Sequence, residues 1–281
     1  MEMLFVGTGA AFTLPPRDQA GRASEKRNWQ SNVVLRATSG QTLCIDCGGD
    51  ARHSFWEQGL THRDVGSVYI THPHADHIGG LEWLAFSSRF DPGYRGLGVE
   101  GRPILWVPRS YEHSLWEHSL RGGLRAIHGA DMELADFFDV RPVDEGFSFG
   151  GTSFKTVPGD HIDGGSWVMR SYGLLFGDRG KRVYFSGDVS RTDQLMEAYE
   201  EADLIFHDCE ILPFETQVHV HIEHLRQLPV ELRQRMWLYG YQPGPRPDIR
   251  EDGFRGFVSP GQRFALHESV TFQRSSSEIK R

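Results

Sequence analysis

The chain of 281 residues predicts an α/β domain in which two sheets are each covered by helices. Three observations carry that reading. Short apolar runs rich in β-forming residues, each bounded by Gly, Asp or Ser, open the chain and recur through its middle. Strands alternate with helical stretches toward the end. No linker-like composition divides the sequence, and no repeat of fixed period appears in it.

In chain order, "MLFVG", "VVLRA", "TLCID" and "SVYI" read as strands. "ARHSFWEQGL" reads as a short helix, with Asp50 placed to cap its start and Gly59 to stop it. "ILWVP" is a strand, followed by a helix over "SYEHSLWEHSL". Strands resume at "FFDVRPV", "FSFG", "TSFKTVP", "YGLLFG" and "RVYFSG". The remainder alternates: a helix over "TDQLMEAYEEA", the strand "LIFHDC", one long helix over "IEHLRQLPVELRQR" and the strand "MWLYGY". The polar end "QRSSSEIKR" reads as a solvated tail.

Composition narrows the function. Net charge is −8, which argues against a general polyanion binder, because sequence-independent affinity for nucleic acid comes from Lys and Arg neutralising phosphates. No apolar run is long enough to cross a bilayer, and the start has no basic, apolar leader pattern, so a cytoplasmic protein is expected. Three cysteines suit a reducing compartment better than a disulfide scaffold. Cys44 and Cys47 fall in a strand-like apolar stretch and read as buried small hydrophobes. Trp83, Phe86, Phe90, Trp106 and Trp116 have the spacing of core residues, and the same aromatics could wall a pocket or line a homodimer face. Arg89, Arg95, Arg121 and Arg125 read as solvated surface charge rather than a phosphate grip.

The most informative stretch is "THPHADHIGG", which sets His72, His74, Asp76 and His77 directly after the strand "SVYI". On a helix, residues two apart would point about 200° from each other. On a loop leaving a strand they can converge, and Gly79-Gly80 allows the chain to turn tightly. Strand C-terminal ends are where α/β folds place ligands. Neutral imidazoles with carboxylates suit zinc, iron or manganese rather than calcium or magnesium.

These residues resemble the signature of the metallo-β-lactamase fold. "FVGTGAAF", "CIDCGG", "SGD" at 186 to 188 and "DLIFHDCE" at 203 to 210 follow in the expected order, and the pattern is similar to the tRNase Z and phosphodiesterase branch. The resemblance implies a four-layer αβ/βα sandwich over residues 1–268, with 269–281 as a tail. It implies a dinuclear centre holding zinc, one or two per chain, with manganese or iron as alternatives. His72, His74 and His161 would serve one metal, Asp76 and His77 the other, and Asp188 would bridge. Asp46 would hold a histidine tautomer rather than bind metal. His207, His219 or His221 would position or protonate a leaving oxygen, with Asp76 orienting the nucleophile. The final ligand is expected after the strand "MWLY", where Gly240 stands. Either His219, His221 or His224 folds back to supply it, or the second site lacks a ligand, or the chain is an altered or inactive form; the second of these is the expectation here.

The expected function is a metal-dependent hydrolase acting on a small or cyclic phosphodiester rather than on an extended nucleic acid. Lactone or thioester hydrolysis, a metal-impaired binding or regulatory protein, and di-iron redox chemistry are the alternatives.

Overall fold

The computed structural model describes residues 1–17, 20–22 and 27–266. The tail assigned to 269–281 lies outside the described residues. The first half runs β1 (Glu2–Phe5), β2 (Val33–Arg36), β3 (Thr42–Ile45), α1 (Ala51–Glu57), β4 (Ser67–Tyr69), α2 (Ala75–Ile78), α3 (Leu81–Phe90) and β5 (Ile104–Pro108). Then come α4 (Arg109–Leu115), α5 (Arg121–Leu124), a small hairpin of β6 (Ala126–Ile127) and β7 (Ala130–Asp131), α6 (Leu134–Phe137) and β8 (Asp139–Val143). The second half runs β9 (Gly146–Phe149), β10 (Thr152–Asp163), β11 (Val168–Asp178), β12 (Lys181–Phe185), α7 (Met196–Glu201) and β13 (Leu204–Asp208). It ends with α8 (Ile222–Leu225), α9 (Val230–Arg233), β14 (Met236–Tyr239), β15 (Gly256–Phe257) and β16 (Arg263–Ala265).

Two seven-stranded sheets result. One has the order β16-β1-β2-β3-β4-β5-β8, the other β15-β14-β13-β12-β11-β10-β9. The central strands β3, β4, β5, β13 and β14 are buried on both faces, so their alternate residues feed two different cores. Phe5, Leu35, Ile45 and Trp106 from one sheet meet Phe154, Phe176, Phe185 and Phe206 from the other between the sheets. Leu4, Cys44 and Val68 point outward against Phe55, Leu81 and Leu84 of the first helix layer. Tyr184 and Ile205 point outward against Tyr199, Leu225 and Leu232 of the second. This is the four-layer αβ/βα arrangement expected from the sequence.

Cys44, Cys47 and Cys209 are buried free thiols. Trp106 and Trp116 are core, Trp83 and Phe86 pack on the core's margin, and Phe90 is exposed. Arg125 pairs with Asp131 at 2.6 Å, and Arg121 pairs with Glu117. Two local expectations need correction. The single helix over 222–235 is two one-turn helices, α8 and α9, because Pro229 between them cannot donate to a helix already under way and instead starts the second. Gly79 and Gly80 have ordinary negative φ, −62° and −89°, so no special turn needs them. They are small because the chain runs against Cys47–Gly49: a Cβ at residue 80 would meet the carbonyl of Gly48.

Candidate metal centre

The centre forms where both sheets present the C-terminal ends of parallel strands. β4 runs out into His72 and His74, and the single turn of α2 carries Asp76 and His77. β12 runs out through Gly187, at φ 65°, to Asp188. β13 ends on Asp208, and β14 beside it ends just before Gly240. His161 does not follow its strand, as the sequence suggested, but sits inside β10. There the pairing with β11 shifts register between Asp160 and Ile162, and this bulge turns the buried imidazole toward the centre.

His72, His74 and His161 converge. His72 Nε2 lies 3.0 Å from His74 Nδ1, and His161 Nε2 lies 3.1 Å from the same atom. The outer hydrogen bonds fix which nitrogens are bare. His161 donates from Nδ1 to the carbonyl of Val218 at 2.9 Å, leaving Nε2 as a lone pair. Thr71 donates its hydroxyl to Asp46 Oδ2, so its oxygen accepts from His72 Nδ1 at 3.1 Å, and His72 Nε2 is bare as well. Two lone pairs therefore face His74 Nδ1, which can donate to only one of them. Burial keeps His72 well below its usual pKa and lowers His161 to about 4, so both rings are neutral near pH 7. Three imidazole nitrogens on one tetrahedral zinc lie roughly 3.3 Å apart. The donor set and spacing fit a soft divalent cation.

Beside this triad, carboxylates dominate. His77 donates from Nδ1 to Asp46 Oδ2 at 2.7 Å, and Asp46 also accepts from the Thr71 amide at 2.8 Å. Asp46 thus orients His77 from behind, the role the sequence assigned it. His77 Nε2 faces Asp188 Oδ2 at 3.1 Å and Asp76 Oδ2 at 3.3 Å. Burial alone would lower the pKa of His77, but Asp188, Asp46 and Asp76 together raise it well above the usual value. Asp188 belongs to this cluster and also, with Asp208 and His219, to a further one.

The other candidate histidines separate clearly. His219 Nδ1 is 2.8 Å from Asp208 Oδ2 and 3.8 Å from Asp188 Oδ2, and its ring centroid is 5.4 Å from that of His161. His207 is a correction. Along β13 the side chains alternate, so Leu204 and Phe206 face between the sheets, Asp208 follows them, and Ile205 and His207 point outward. His207 Nε2 is bound to the Tyr199 hydroxyl at 2.5 Å, and its Nδ1 donates to the carbonyl of Asp208. It faces the helix layer, away from the centre. His221 caps α8 and donates to the Leu212 carbonyl, and His224 pairs with Glu215 on the surface. Gly240 abuts the centre but has φ 75°, and a Cβ there would overlap Asp208 Oδ1. Asp208 therefore occupies the room that a side chain at 240 would need. Sequence reading missed Asp208, although the alternation of "LIFHD" marks it as the inward residue.

The groove lined by Phe147, Phe154, Lys155 and Arg182 lies at the opposite end of the strands.

The paired sheets, with a histidine and aspartate cluster at their strand ends, define a metallo-β-lactamase-fold protein. A solved structure titled as a metallo-beta-lactamase fold protein, YhfI from Bacillus subtilis, superposes with a TM-score of 0.68 at 12% identity, covering 94% of this chain and 98% of that one. The chain belongs to the family described as Anti-Pycsar protein Apyc1, whose model matches residues 1–264. A relative of that name from Paenibacillus harenae is 32% identical over 271 residues, covering 95% of this chain and all of the relative. Another, from Bacillus phage BSP38, is 30% identical over 277 residues, covering 94% and 98%.

Proposed function

We propose that the chain is a metal-dependent phosphodiesterase that opens a cyclic nucleotide. The observation that carries this is the side-by-side arrangement of a three-imidazole cradle and a carboxylate-rich one: His72 belongs to the triad and also clusters with His77 and Asp188, and Asp188 clusters in turn with Asp208 and His219. Two cations held a few ångströms apart supply an activated water and polarise a phosphoryl group. The chain's own residues prepare that chemistry. His72 and His161 present neutral lone pairs, each ring held by a hydrogen bond on its far side, and His74 at the start of α2 sets its Nδ1 against both. Asp46 fixes the tautomer of His77. Asp188 faces both sides of the centre, so displacing it would loosen both. The family's name and the absence of net positive charge favour a small phosphodiester over a polymeric nucleic acid.

Incubation with a panel of 3′,5′-cyclic nucleotides, bis-nitrophenyl phosphate, a lactone and a thioester tests the reading. Phosphodiester hydrolysis abolished by chelator and restored by zinc or manganese is expected. Turnover confined to the lactone or thioester, or full activity in metal-free protein, would replace the proposal.

A further inference from the structure

The cluster of Asp188, Asp208 and His219 has no part in the triad of imidazoles. The three ligand atoms lie within 4.8 Å of one another, in a place reached by two strand ends and the 211–221 segment. The bland account of Asp208 and His219 is a buried ion pair, and such pairs are common. Two features go further. Asp208 is fully buried, yet its Oδ1 has no hydrogen-bond partner among the described residues. A satisfied ion pair would not leave a carboxylate oxygen bare, because an unmet buried acceptor costs about 1–3 kcal/mol. The second feature is charge. Asp46, Asp76, Asp188 and Asp208 are all buried around His77 and His219, so four carboxylates face two imidazoles that can carry charge.

The spacing admits a cation as well as a proton. His219 Nδ1 stands 2.8 Å from Asp208 Oδ2 and 3.8 Å from Asp188 Oδ2. Ligand atoms bound at about 2.0–2.1 Å to one tetrahedral metal sit roughly 3.3 Å apart, and the two observed separations bracket that value. Gly240 completes the arrangement by default, since any side chain there would displace Asp208.

We infer that Asp208 and His219, with Asp188, are the chain's own closure of the second cation position, in the room that Gly240 leaves open. The inference rests on the metal centre proposed above. It replaces the expected one-ligand deficit with a carboxylate-rich site. Such a site takes harder cations more readily than the imidazole triad does, so manganese should compete better there than at the triad.

The test counts cations rather than turnover. Chelator-stripped protein is titrated with zinc, and separately with manganese, by calorimetry. Bound metal is then counted by elemental analysis after gel filtration, and cobalt-substituted protein is read by its visible absorption. Two cations per wild-type chain are expected. Asp208→Asn and His219→Gln should each keep one tight cation and bind the second at least tenfold more weakly, with the cobalt band of that site lost. Thermal melting of the metal-free forms reports folding, and His219→Gln carries the test if Asp208→Asn does not fold. If both variants bind the second cation like wild type, or wild type takes only one, this closure is wrong while the phosphodiesterase reading stands. If wild type binds no cation at all, both fall together.

Discussion

The two halves of the metal centre are built from different materials and by different local devices. The triad of His72, His74 and His161 is neutral, and burial holds its rings unprotonated. Its members come from a loop after β4 and from a bulge inside β10, so it spans both sheets. The other half, with Asp76, His77, Asp188, Asp208 and His219, is dominated by carboxylates that raise the imidazoles they touch. His219 reaches about 10: burial opposes protonation there, and Asp208 outweighs it. A cation at the triad displaces few protons near pH 7. A cation at the other half must displace protons that the carboxylates have recruited. The lesson is that one shared residue, Asp188, couples a site ready for metal to one that metal has to compete for.

Breaking the shared residue should have the largest effect. Asp188→Asn keeps the side chain's size and its place after Gly187 but removes the charge seen by both halves. Hydrolysis of whichever cyclic nucleotide the wild type turns over should fall by about a thousandfold in kcat/KM, roughly 4 kcal/mol of transition-state stabilisation. A variant within tenfold of wild type would mean that the two halves do not work together.

Asp46→Asn separates the halves more gently. Residue 46 sits at φ 63°, a conformation that Asn tolerates, so the backbone should survive. Thr71 Oγ1 and His77 Nδ1 both donate to Oδ2 and the Thr71 amide donates to Oδ1, so the single amide oxygen of Asn cannot serve all three donors, and the hold on the tautomer of His77 weakens. Metal affinity at the carboxylate-rich half should drop about 10- to 100-fold, with the triad much less affected, as calorimetry would show. Equal losses at both halves would show that Asp46 supports the whole centre through Thr71 and His72 instead.

The third test concerns Gly240, where the family pattern led one to expect a histidine. Placing one there should lower occupancy of the second position, not raise it. A residue with a Cβ at φ 75° costs about 1–2 kcal/mol, and the new atom would push Asp208 aside. A measured gain in second-site affinity for Gly240→His would show that Asp208 yields at little cost and is no ligand.

How much of this was readable in the sequence follows from the kind of constraint involved. The strands were legible because turn residues bound each short apolar run, and the "THPHADH" cluster because four ligand types fall within six residues. Asp46 was legible as a carboxylate at a strand end. Asp208 and His207 are neighbours, and choosing between them needed the period of two along β13, counted from Phe206. The bulge at His161 and the left-handed backbone at Gly240 are set by long-range pairing of strands, which no local pattern in "TVPGDHIDGG" or "MWLYGY" encodes. The break in the helix at Pro229 was local and readable.

The smallest effect on activity should come from His207, which lies one residue from the centre and faces away from it. His207→Leu keeps a buried side chain of similar bulk but leaves the Tyr199 hydroxyl without its partner in a fully buried layer. Turnover should stay within about twofold of wild type, since neither half of the centre touches this ring. Stability should fall by about 1–3 kcal/mol, visible as a lower midpoint in urea, because a buried polar group is left unsatisfied. Tyr199→Phe made together with His207→Leu should recover much of that loss, as the orphaned hydroxyl is then gone too. A large loss of kcat at unchanged stability would instead return His207 to the catalytic machinery, and would require β13 to rotate its alternation toward the centre.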